Sequence, residues 1–314
     1  MVTERTHINF ISGGIGSWAA LQRIVDAHGT ENVVNIFTDT LIEDRDLYRF
    51  LIESTAQTYG IPKPVELLKM CEKIPDITSE DDVEVRKRLL PEIAAEALRI
   101  IPGLTWIADG RTPWDVFHDK RYLGNSRKAQ CSHKLKQDVS ARYVKANYAP
   151  DNCVLYLGID WSEEHRTAAP IRNWTPYTVK FPMCEEPYVD KTDAFEKLAA
   201  IGIKPPRLYE LGFAHNNCGG FCVRGGHGHF TNLLEKFPEQ YAYHEQKEET
   251  FRQFVGKDVT IMKKERRVGE DKKRRSFPFS KRQLRQDLAV GAEIDRDDIG
   301  GCGCFVTDTE DSIA

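Results

Sequence analysis

A six-residue turn, Ser12-Gly13-Gly14-Ile15-Gly16-Ser17, constrains this 314-residue chain more than any other feature. It follows the apolar run His7 to Ile11 and leads into Ser17 to Ala27, where Trp18, Leu21, Ile24 and Val25 recur at helical spacing. A strand that passes through glycines straight into a helix commits the chain to a strand–turn–helix unit. Glycines let the backbone turn tightly and approach a ligand. The start of the helix offers unpaired N–H groups and a positive dipole end, which suit an anion such as pyrophosphate. Ser12 and Ser17 add hydroxyl donors. The spacing matches neither G-x-G-x-x-G nor G-x-x-x-x-G-K-[ST], so dinucleotide-binding and Walker motifs do not describe it. The plainer alternative is an ordinary glycine-rich turn.

Strand and helix signals keep alternating downstream. Val33 to Phe37 is a second apolar run, followed by an acidic segment and a predicted helix near Asp46–Tyr59 that Gly60-Ile61-Pro62 ends. Pro64–Lys69 reads as a third strand, Val83–Ile101 as a long amphipathic helix, and Cys153–Ile159 as a very apolar strand. This alternation predicts an α/β fold: a Rossmann-like parallel sheet with helices on both faces. After about Pro182 the alternation gives way to helical stretches near Asp193–Ile201 and Asn232–Phe254, a basic segment and a glycine-dotted acidic tail. The expected division is residues 1–182 for the α/β domain and 183–314 for a mainly helical, cysteine-bearing domain, in line with roughly 150 residues per domain.

Composition narrows the functional classes. Hydrophobic residues are 40%, charged residues 29%, and the formal net charge is −4, which describes a globular chain. No apolar run approaches the roughly 20 residues that span a bilayer. The start, MVTERTHINF, lacks a basic segment followed by an apolar one, so the expected location is the cytoplasm. The charge excludes a wholly basic nucleic-acid binder and leaves room for a local basic patch.

Further motifs carry a resemblance. Ser-Gly-Gly-x-x-Ser after the first strand resembles the PP-loop (SGGxDS) of the ATP-pyrophosphatase and PAPS-reductase superfamily, with Gly16 in place of the aspartate. Phe37-Thr38-Asp39-Thr40, with Leu47-Tyr48-Arg49-Phe50 after it, is similar to that superfamily's segment after strand 2. Cys131-Ser132-His133-Lys134-Leu135-Lys136 resembles the C-[ST]-x-x-L-K element of reductase-like members. Gly158-Ile159-Asp160 with Glu163, Glu164 and Arg166 resembles their late glycine turn. The resemblance covers about residues 7–182. It implies an adenine-nucleotide α-hydrolase-like fold and cleavage of ATP between the α and β phosphates, with AMP passed to a substrate oxygen. The reductase branch instead reduces an adenylyl sulfate without cleaving ATP.

Candidate roles follow. Ser12, Gly13, Gly14, Gly16, Ser17 and Gly158 would hold the nucleotide. Asp39 would reach the ribose or adenine, or else cap a helix. Lys136 and Arg166 would neutralise phosphate charge, with a solvated lysine the alternative for Lys136. Asp160 and Glu164 would hold Mg, which prefers carboxylate oxygens, or Glu163 and Glu164 form a surface pair.

The chain carries eight cysteines, and the reducing compartment expected for it argues against four disulfides. Cys218 and Cys222 flank Gly219-Gly220-Phe221, and Cys302 and Cys304 lie in Gly-Gly-Cys-Gly-Cys. Four such thiolates suit zinc or a [4Fe–4S] cluster; the alternative is four unrelated thiols. Cys131, amid Arg127, Lys128, His133, Lys134 and Lys136, is placed as a nucleophile, sulfur carrier, cluster ligand or pocket-lining thiol. Cys71, Cys153 and Cys184 read as core or incidental thiols. His227 and His229 are spare ligands or capping residues.

From Lys263 to Arg285 there are eleven basic and three acidic residues. This is either a solvated face or a surface for the phosphates of a nucleic acid, with Phe277 and Phe279 available for stacking. Three functions are compatible with the whole. One is an ATP-dependent adenylating enzyme serving sulfur transfer to a nucleic acid or nucleotide. The second is an adenylyl-sulfate reductase, although no E-C-G-[IL]-H element is visible. The third is a non-catalytic nucleotide or nucleic-acid-binding protein, which Gly16 favours.

Overall fold

The computed structural model describes residues 5–125, 128–268 and 273–301. Its centre is a five-stranded, all-parallel sheet of β1 (Thr6–Ile11), β2 (Val33–Asp39), β3 (Leu104–Ala108), β4 (Cys153–Leu157) and β5 (Thr178–Lys180). The order across the sheet is β3-β2-β1-β4-β5. β4 is buried along its whole length and β1 from Asn9's neighbour Ile8 onward, as strands covered on both faces are. One polar seam crosses them: Asn9, in register with Asn35, donates to its Oδ1 at 2.7 Å, and Asn35 donates to Thr55.

Helices connect the strands. α1 (Ile15–His28) joins β1 to β2. Three more, α2 (Arg45–Thr58), α3 (Val65–Glu72) and α4 (Glu80–Ile100), precede β3. α5 (Pro113–Lys120) and α6 (Asp138–Asn147) lie between β3 and β4, and α7 (Ala168–Asn173) between β4 and β5. Their starts are readable from local chemistry. Ser79 caps α4 by accepting from the Asp82 N–H, with three acidic residues in the first turn facing the positive dipole end. Thr112 and Asp115 form a capping box on α5, with Pro113 at its first position. A π-helical turn, Ser132–Gln137, runs into α6, and Cys131 immediately precedes it.

The later chain forms α8 (Lys191–Ala200), α9 (Arg207–Glu210), α10 (His227–Lys236) and α11 (Pro238–Val255). It closes with the antiparallel pair β6 (Met262–Val268) and β7 (Lys273–Phe279) and with α12 (Lys281–Ala289). One apolar cluster draws on both halves of the chain: Trp114, Phe117 and Leu135 pack with Phe213, Phe221, Phe230, Tyr241 and Phe251. Among the described residues no helix is long and apolar enough to cross a membrane.

Two local expectations are corrected. Pro64–Lys69 is not a strand: from Val65 it is helix α3, which buries Leu67, Leu68 and Cys71 against α2 and α4. The third strand is instead the short Leu104–Ala108. The stretch Asn232–Phe254 is two helices, broken because Pro238 lacks an N–H and holds Phe237 out of the helical region (φ −137°, ψ 65°).

Candidate functional site

The sheet order reverses between β1 and β4, and the crevice outside the carboxyl ends of strands at such a point is where open α/β sheets take ligands. A cavity of about 310 Å³ lies there. Ser12, Gly14, Gly16 and Ser17 form one wall, and Gly158, Asp160, Glu163 and Arg166 form the next. The loop is held in shape by its own serines. The Ser17 hydroxyl donates to the Gly14 carbonyl at 2.9 Å and accepts from the Ser12 N–H at 3.1 Å. Gly158 must be glycine for a steric reason: a Cβ there would stand 2.8 Å from Ser17 Cα. The end of β4 is therefore pressed against the first turn of α1, and the two glycine turns make one floor.

The remaining walls come from beyond residue 182. Asp190, Lys191, Tyr209, His215, Asn216 and Asn217 line the same cavity. Arg207 grips Asp44 through Nε and Nη2 (2.9 and 2.7 Å) and Asp76 at 2.6 Å, which anchors α9 and sets Tyr209 over the loop. The Tyr209 hydroxyl accepts from the Ile15 N–H at 3.4 Å. Asn216 donates to the Gly13 carbonyl at 2.8 Å, and its Oδ1 is buried without a hydrogen-bond partner among the described residues. Burial, followed by the nearness of Lys191 and Arg166, pushes His215 down to about 4, so it is a neutral imidazole at pH 7. Arg166 is ion-paired with Glu163.

Several expected site residues stand elsewhere. Asp39 is 1% exposed at the end of β2 and does not line the cavity. Its carboxylate accepts from Leu41 N (2.7 Å), Tyr48 Oη (3.1 Å) and Trp106 Nε1 (3.1 Å). Burial and then the neighbouring Glu43 raise it to about 6. Glu164 is exposed and off the cavity wall, where Glu163 is present instead. Lys136 is 2% exposed and pairs with the buried Glu43 at 3.0 Å.

Lys136 belongs to a second, small cavity of about 20 Å³. Thr40, Cys131, Lys136, Cys218, Cys222 and Arg224 line it. Cys131 thus shares one space with Cys218 and Cys222, which lie about ninety residues further along the chain. The turn that brings Cys218 there is unusual: Cys218 itself has φ +50°, and Gly219 follows at φ +59°, where a Cβ would lie 2.6 Å from the Ile42 carbonyl. The Cys218 N–H donates to Glu43, and His229, kept neutral by burial at about 4, bonds the Gly220 carbonyl at 2.7 Å. His227 likewise bonds a backbone oxygen, that of Lys263. Cys302 and Cys304 lie outside the described residues. Among the described residues no three or more His, Cys, Asp or Glu side chains are grouped to hold a metal ion.

The glycine loop and Gly158 are identifiable because each follows a strand end, and Arg166, in the turn Trp161–Arg166 before α7, through the resemblance of the segment after Gly158. Lys191, Tyr209 and the pair Asn216-Asn217 are not, since no local pattern marks a residue that meets the loop only across the chain. No protein-family model and no curated protein sequence matches this chain.

Proposed function

We propose that the chain is a PP-loop enzyme of the ATP-pyrophosphatase and PAPS-reductase-like superfamily. It binds ATP at the Ser12–Ser17 loop, cleaves it to AMP and pyrophosphate, and adenylates an acceptor for sulfur transfer to a nucleic acid or nucleotide. The observation that carries this reading is the cavity at the β1/β4 reversal, floored by two touching glycine turns and the first turn of α1. Backbone N–H groups there would cradle the pyrophosphate. Arg166 and Lys191, on the facing walls, would offset charge that develops as the α–β bond breaks. The acceptor oxygen attacks the α phosphorus, pyrophosphate leaves, and a sulfur nucleophile later displaces AMP.

Three carboxylates, Asp160, Glu163 and Asp190, share the cavity with those two cations. Such hard oxygen donors fit Mg, which would bring the positive charge a triphosphate needs. The thiol cavity gives Cys131, Cys218 and Cys222 a common location, compatible with sulfur handling. For zinc or a [4Fe–4S] cluster on Cys218, Cys222, Cys302 and Cys304, only the first two fall among the described residues, so no step is assigned to that group.

Calorimetry with ATP tests the reading. A Cβ at Gly14 would already meet the Tyr209 hydroxyl at 3.1 Å, so Gly14→Val should fill the anion nest and weaken ATP about tenfold or more, which is 1.4 kcal/mol. Equal affinity in both proteins would remove ATP from this loop. Products from labelled ATP should be AMP and pyrophosphate. ADP would exclude the mechanism, and adenylyl sulfate consumed without ATP would move the protein to the reductase branch.

A further inference from the structure

The strands β6 and β7 form a two-stranded ribbon separate from the central sheet. Between them they carry Lys263, Lys264, Arg266, Arg267, Lys273, Arg274 and Arg275 against a single carboxylate, Glu265. The register sets Arg267 opposite Arg274 and Arg266 opposite Arg275. Like charges directly across a strand pair are destabilising, and an isolated two-stranded ribbon is marginal to begin with. Lys263, Arg267, Lys273, Arg274 and Arg275 are all exposed.

The base of the ribbon is built firmly. Met262 and Phe279, in register, are buried in the shared apolar core. Glu248, 1% exposed, accepts from the Ile261 N–H (3.0 Å) before β6 and the Lys281 N–H (2.7 Å) after β7. Thr260 accepts from the Phe279 N–H at 3.0 Å. Within the chain Lys264 pairs with Asp287 (3.1 Å) and Arg274 with Glu265 (3.5 Å), so cations still outnumber the carboxylates paired with them, and a fixed base carrying an exposed cationic length describes a part whose excess charge is balanced by a partner.

We propose that this ribbon is an arm that lies in the major groove of duplex DNA and contacts its phosphates. This rests on the nucleic-acid acceptor named above. Seven residues per strand extend roughly 20 Å, about six base pairs of B-DNA. The B-form major groove admits a two-stranded β-ribbon, whereas the A-form groove of duplex RNA is deep and narrow. The contacts are charge contacts, so binding is salt-dependent and largely indifferent to base sequence.

The test is titration of a mixed-sequence DNA duplex, with an RNA duplex of the same sequence in parallel, at several salt concentrations. The variant Arg267→Gln/Arg274→Gln removes both charges of one cross-strand pair, and with them the Arg274–Glu265 pair, which is exposed and contributes little, so it should fold. ATP calorimetry and thermal unfolding check that it does. It should weaken DNA about fiftyfold at 0.1 M salt and flatten the plot of log K against log salt by about 1.8. Arg99→Gln, on α4 and away from the ribbon, should leave both the affinity and the slope as in the wild type. Undiminished DNA binding by the double variant would overturn the arm, as would absence of DNA binding by the wild type. Arginine-dependent binding tighter to the RNA duplex would overturn the groove assignment. Loss of the DNA result with ATP binding intact strikes this inference alone. Failure of ATP binding in the wild type strikes the proposed function and leaves the DNA measurement standing.

Discussion

Asp39 is where burial and hydrogen bonding pull hardest against each other. Three donors hold its carboxylate, yet burial and the nearby Glu43 leave it titrating at about 6, above its ordinary 3.8. The sign follows: the folded state binds this proton more tightly than the unfolded chain does. Its contribution is therefore most favourable below about pH 4, declines as pH rises towards 6, and is then lower by about 3 kcal/mol. Urea unfolding of the wild type should show that decline between pH 4 and pH 7, while Asp39→Asn should lack it. Parallel pH profiles in the two proteins would mean that Asp39 titrates normally. The motif made this aspartate a nucleotide contact because it ends β2. What no motif could supply was Trp106 from β3, stacked on Tyr48 at 5.2 Å and donating to the second carboxylate oxygen.

At the scale of elements, one buried glutamate of α11 joins the two ends of the ribbon. Glu248 accepts from two backbone N–H groups and lies 3.5 Å from the Lys281 ammonium, which also faces the rings of Phe221 and Phe230. Glu248→Ala would leave a buried ammonium and two buried N–H groups without their acceptor, a change that typically costs about 3–5 kcal/mol. We expect that loss in denaturant unfolding. Exposed Arg275→Gln should alter stability by less than about 1 kcal/mol. Comparable effects from the two would show that Glu248 does not clamp the ribbon. Strands β1, β2 and β4 could be read from sequence because each is a compact apolar run meeting a turn. The ribbon could not, because among its described residues only the base, Met262 and Phe279, is buried, and the length between them alternates no apolar face with a polar one. α3 was misread because Leu67 and Leu68 are adjacent, which suits a short strand and a helix edge equally until α2 and α4 supply the surface they pack on.

In the whole molecule, the segment His215–Cys222 divides two cavities. His215, Asn216 and Asn217 face the glycine loop, while Cys218 and Cys222 line the thiol cavity beside Cys131 and Lys136. The segment is tied at both sides: Asn216 to the Gly13 carbonyl, and the Cys218 N–H to Glu43, itself paired with Lys136. An occupant of the first cavity that orders the loop should therefore steady the wall of the second. Alkylation of Cys218 and Cys222 by iodoacetamide, followed by mass spectrometry, should slow about fivefold with saturating ATP, the effect of roughly 1 kcal/mol on a local opening. Asn216→Ala, which cuts the tie to Gly13, should abolish most of that protection when compared at ATP concentrations that calorimetry shows to saturate the variant. Cys71 serves as the internal reference: it packs in a different core, and burial raises its thiol to about 12, so ATP should not alter its labelling. Protection that persists in Asn216→Ala would route the coupling through another wall, and labelling indifferent to ATP in the wild type would make the two cavities independent.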